Sequence, residues 1–227
     1  MRAEVLYRPA YSMAVVDLNP YEEIVVESGS MVSMTEGITL DSRMEGGIIR
    51  SLARSLLGRE SFFLNVFRAP SYGGQINLAP KLPGDMMILQ LQNESMLVQS
   101  GSYIASSDGI QVDTKWGGAK TFFAQEGLIM LRAQGTGLLL LASYGAIHPI
   151  ELEAGQRYTI DTGHLVSFSE GMGFDVRTVG GLKSTVLSGE GLVIDLSGPG
   201  RVYMQTRSED AFLAWLLPYI NPDDSKK

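Results

Sequence analysis

Apolar residues along this chain come in short runs, most of them alternating with polar positions and ended by glycine. Residues 3–8 and 11–18 read as an opening strand pair around Pro9, and Asn19-Pro20 reads as the next turn. A β-branched run, Glu22–Glu27, then leads into Ser28-Gly29. From there one spaced pattern, G-x7-G-x3-D-x4-G, organises the runs. It is carried by Gly29, Gly37, Asp41 and Gly46, again by Gly101, Gly109, Asp113 and Gly118, and again by Gly163, Gly171, Asp175 and Gly180. An acidic residue precedes the second glycine each time: Glu36, Asp108 and Glu170. Recurrence with fixed internal spacing predicts a triplicated unit.

The same grammar is expected in each copy. A strand follows the first glycine (31–34, 103–105, 165–168), and the acid-Gly pair makes a tight turn on the positive φ that glycine supplies. A returning strand ends at the aspartate. An excursion follows, and then a Glu-led strand at Glu60, Glu126 or Glu190. A final strand pair is joined by a glycine turn at Gly73-Gly74, Gly135-Thr136-Gly137 or Gly198-Pro199-Gly200. In the first excursion Ile48, Ile49, Leu52, Ala53, Leu56 and Leu57 recur at helical period, so a short helix closed by Gly58 is expected there. A second helix is predicted over 208–217, with Ser208 as N-cap and Pro218 as its stop. Its sequence FLAWLL is apolar nearly all round, which predicts burial against the body or contact with a subunit. Short strands with frequent glycine turns indicate an all-β sandwich or barrel. The expected layout is one domain over 1–220, with repeats at about 3–80, 81–152 and 153–207, the C-terminal helix, and a disordered tail at 221–227.

Composition narrows the function classes. A net charge of −7 argues against a nucleic-acid binder, which needs a basic footprint to neutralise phosphates. The absence of cysteine removes disulfides, thiolate metal sites and cysteine nucleophiles together. No continuous apolar stretch reaches the length of a membrane span, and the N-terminus has neither an h-region nor a small-residue cleavage site. A soluble cytoplasmic protein is expected.

Candidate chemistry is sparse. Asp41, Asp113 and Asp175 could meet at a symmetry axis as oxygen ligands for a hard cation, or each could cap its own strand. His148 and His164 have no metal-ligand spacing, and His164 stands where the other copies have Ser30 and Ser102. Gly180 to Thr185 lacks the glycines of a phosphate loop. No catalytic residue, metal or cofactor is assigned. The excursions offer an interaction surface instead, with Arg50, Arg54, Trp116, Phe122, Phe123 and Lys183 as its candidates. The bland alternative is a solvated helix face with aromatics capping the core.

The triplicated S-G-S with its downstream acid-Gly and Asp, Gly46-Gly47, and Arg59 to Phe63 together resemble the altered-inheritance-of-mitochondria protein family. The resemblance covers about residues 3–207. It implies a fold like the tryptophan RNA-binding attenuator protein, repeated three times with pseudo-threefold symmetry, and it transfers no catalytic residue. The family's mitochondrial members are linked to inner-membrane organisation. The expected function is a non-enzymatic interaction or scaffold protein that self-associates, with an unknown protein or a membrane surface as further partner. The alternatives are a small-ligand or metal-binding module at the repeat axis and RNA binding by fold analogy, which the acidic balance disfavours.

Overall fold

The computed structural model describes residues 1–41, 56–57, 60–61, 63–113, 129–178 and 192–220. The fold is all-β with one C-terminal helix. The opening pair forms as β1 (Arg2–Leu6) and β2 (Met13–Leu18), antiparallel. After the Asn19 turn come β3 (Glu23–Glu27), β4 (Met31–Met34) and β5 (Thr39–Asp41). The expected helix at 48–57 lies outside the described residues except at its end. There β6 (Leu56–Leu57) is extended and pairs with β7 (Glu60–Ser61), so the helical expectation is wrong for those two residues. A two-residue apolar step fits a strand pair as well as a helix face, and local pairing decides. Two further strands, β8 (Leu64–Arg68) and β9 (Gly74–Leu78), follow. The sheets are β1-β2-β9-β4 on one side and β3-β8-β5 on the other.

The middle of the chain departs from the expected grammar. β10 (Met86–Gln99) and β13 (Met130–Ala142) are long, continuous strands that pair along their whole length. The predicted turn at Gly135-Thr136-Gly137 is therefore not a turn. Its glycines take φ of +141° and +145° inside β13, opposite a register shift between Gln92 and Glu94 in β10. Glycine tolerates such φ values, and Asn93 of β10 takes φ of +60° at the shift, so the ladder is interrupted there and both strands continue. Between them lie β11 (Tyr103–Ser107) and β12 (Ile110–Asp113), both paired to β13.

The last part contains β14 (Ile147–Leu152), β15 (Arg157–Asp161), β16 (Leu165–Ser169), β17 (Gly173–Thr178), β18 (Leu192–Ser197) and β19 (Gly200–Gln205). They pair as β14-β19-β16 and β15-β18-β17. Two links, β11 with β3 and β16 with β10, join β3-β8-β5, the β10–β13 strands and β14-β19-β16 into one ten-stranded sheet, while β1-β2-β9-β4 and β15-β18-β17 form separate sheets. Three apolar clusters fill the layers, around Val16 and Ile76, around Leu131 and Leu139, and around Phe168 and Ile194. Alternation puts one face of strands such as β2, β3 and β9 into these layers, which is the period-2 signal in the sequence.

The helix α1 (Glu209–Ile220) starts where expected: Ser208 Oγ accepts from Ala211 N at 3.3 Å. It does not stop at Pro218, which sits inside the last turn. None of its residues is buried, so the expectation of burial against the body is corrected. A cylinder apolar on every side cannot be covered by one contact with a sheet.

Candidate functional site

The six residues expected to form an interaction surface, Arg50, Arg54, Trp116, Phe122, Phe123 and Lys183, all lie outside the described residues. The aspartates of the motif are described, and they are not brought together. Asp41 ends β5 opposite Val66, Asp113 ends β12 opposite Arg132, and Asp175 lies within β17 opposite Asp195. Among the described residues no three His, Asp or Glu side chains converge as a metal site would require. His164 is occupied structurally: its Nδ1 lies 2.8 Å from the carbonyl oxygen of Gln205 and donates to it. His148 is exposed on β14.

The acid-Gly turns divide into two kinds. Gly37 and Gly171 take φ of +89° and +94°, as expected. Gly109 does not have a positive φ. It is glycine because a Cβ there would lie 2.4 Å from the Thr136 carbonyl oxygen, in the bend of β13.

Composition and spacing gave no hint of Asp85. This carboxylate is 2% exposed and anchors the tip of the β1–β2 hairpin to the start of β10. Arg8 grips it bidentately through Nε and Nη2, both at 2.8 Å, while Ser12 Oγ and the Met86 amide donate to Oδ1. Burial alone would raise this carboxyl, but the donors outweigh it and hold it below the usual carboxylate range. Tyr103 is a second buried polar anchor. Burial pushes its phenol well up, and the hydroxyl donates to the Val25 carbonyl and pairs with Ser106 Oγ at 2.9 Å.

Exposed apolar side chains are most numerous on two elements, while β5 and β15 carry one each, Leu40 and Tyr158. All four residues of β4 are exposed, Met31, Val32 and Met34 among them. Along α1, Trp215, Leu217, Tyr219 and Ile220 are exposed as well. Phe212 packs edge-on against Tyr144 with centroids 6.0 Å apart, and Trp215 continues the aromatic row to Tyr219. Beneath the helix a groove of about 500 Å³ is lined by Tyr144, His164, Arg207, Phe212 and Trp215. These surfaces can bind a protein edge or an apolar partner.

The description "Mitochondrial biogenesis AIM24" belongs to the family model that matches residues 3–207, nearly the whole chain. The chain belongs to this family. An uncharacterized protein of Streptococcus pyogenes serotype M6 is 29% identical over 219 residues, covering 92% of this chain and 87% of that protein. The X-ray crystal structure of a Streptococcus pyogenes protein superposes with a TM-score of 0.79 at 27% identity, covering 96% of this chain and 99% of that one. The AIM24 match ends at residue 207, so α1 lies beyond it. Among the described residues no helix is long and apolar enough to cross a membrane.

Proposed function

We propose that this AIM24-family chain is a non-enzymatic, self-associating scaffold of the cytoplasm, built from three copies of one β-sandwich unit. Apolar display on ordered elements carries the reading: β4 and α1 present large apolar side chains to solvent, whereas most strands bury theirs. Such patches on a folded body mark interaction sites. The unit reading is supported by the recurrence of one pairing scheme. The strand after the first motif glycine borders a three-strand set in each copy: β2-β9-β4, the β10-β13-β11 set, and β14-β19-β16.

The test is light scattering and native mass spectrometry on the purified full chain. A stable mass that is a multiple of 24.7 kDa supports the scaffold, and 24.7 kDa at every concentration overturns self-association. A second reading, small-ligand binding, is favoured by the groove beneath α1, whose volume lies in the range of ligand pockets. A persistent adduct of small-molecule mass, lost in R207A, would select it.

A further inference from the structure

The chain joins its three units by two strand pairings of identical register. At the first, Ala105, Ser106 and Ser107 of β11 face Val26, Val25 and Ile24 of β3. At the second, Ser167, Phe168 and Ser169 of β16 face Val98, Leu97 and Met96 of β10. In both, the fourth residue after a motif's first glycine faces the third residue before the first glycine of the preceding copy. Applied once more, the rule pairs β4 with β15, setting Ser33 opposite Ile160, Met34 opposite Thr159, and Thr35 opposite Tyr158. Within the chain this pairing is not made. Among the described residues β4 pairs only with β9 and β15 only with β18, so each is the edge of its sheet.

Burial shows what the two edges lack. Val32 is 55% exposed, whereas the matching Ile104 and Val166 are 1% and 0% exposed, each inside the core of the preceding unit. Tyr158 is 40% exposed, whereas the matching Ile24 and Met96 are 0% and 1%. Neither edge carries the proline that guards β14, where Pro149 lies in the outer strand.

We propose that β4 of one copy pairs with β15 of a second copy of this chain, in the register of the two internal joints, placing Val32 in the core of the partner's third unit. This rests on the scaffold reading above. Donor and acceptor edges differ, so the contact is head-to-tail and propagates until it closes a ring or continues as a filament.

Two variants test it, since Val32 and Tyr158 are exposed in the single chain and charge there leaves its own cores intact. V32E spoils β4 and keeps β15, and Y158E does the reverse. Light scattering is expected to give 24.7 kDa for each alone and twice that for an equimolar mixture, because one sound joint remains. Thermal melts check that both are folded. Retention of the wild-type oligomer by both variants overturns this inference while leaving self-association standing, and a wild-type monomer overturns both. The chain has no cysteine, which permits an independent reading. Mild oxidation of M34C mixed with T159C is expected to give a disulfide between those two positions, identified by peptide mass spectrometry. Its absence from an oligomeric mixture overturns the register.

Discussion

Arg8 and Asp85 lie far apart in sequence and meet across the hairpin tip, one half-exposed and the other buried. Removing the charge from Asp85 strands the Ser12 and Met86 donors around a poorer acceptor. We expect D85N to cost about 2–3 kcal/mol in urea unfolding at pH 7, less than the roughly 3–5 of a fully buried pair because Arg8 stays hydrated. The folded carboxyl is held below its ordinary range, so its contribution is present above the unfolded pKa of about 4. It is lost as pH falls through the lower folded value. Acid titration of stability should therefore be shallower in D85N than in wild type. Glycines give a second contrast. Gly109→Ala drives a Cβ into the Thr136 carbonyl, and overpacking of this kind costs about 1–3 kcal/mol. At Gly171 nothing lies within 4 Å of a Cβ and only φ opposes it, so Asn is tolerated there and not at Gly109. Melting temperatures of the two Asn variants decide it.

Among the elements, α1 separates local from tertiary information. Its start was readable, because Ser208 followed by Glu209 and Asp210 has the chemistry of an N-terminus. S208A should lower stability by up to about 1 kcal/mol, read from the helical circular-dichroism signal. Its environment was not readable, since an apolar cylinder fits a core and an open surface equally. Trp215 is 60% exposed, so W215S should change unfolding free energy by no more than about 0.5 kcal/mol in the single chain. A larger loss that grows with protein concentration would place the helix in a contact between copies. The long strands β10 and β13 taught the opposite lesson. The glycines of β13 have the look of a turn, but a turn and a bend need the same backbone freedom, and only the pairing partner distinguishes them.

At the scale of the molecule, two strand pairings, β11 with β3 and β16 with β10, join the strand groups of the large sheet. The link from β11 to β3 is sealed by the Tyr103 hydroxyl on the Val25 carbonyl. The link from β16 to β10 is flanked by Arg132–Glu170 at 2.9 Å and Arg201–Glu94 at 2.7 Å. If the third joint forms between copies, folding and association are linked by mass action. The wild-type melting temperature should then rise with protein concentration, whereas that of V32E should not. Scanning calorimetry over a hundredfold concentration range would show it, and a flat wild-type response would count against assembly.

Local sequence by itself determined what is local. It set the all-β character and most of the short strands, because a period of two and glycine turns are written in adjacent residues. It also set the three motif positions, the helix start, and the failure of His148 and His164 to resemble a metal pair. Tertiary structure decided what depends on distant partners. It separated Asp41, Asp113 and Asp175, gave Asp85 its donors, and bent β13 where a turn was expected. It buried Ile104 and Val166 while leaving Val32 in solvent. The reason is physical: a strand's propensity resides in its own residues, but its burial depends on whether another strand lies beside it, and among the described residues β4 has only β9.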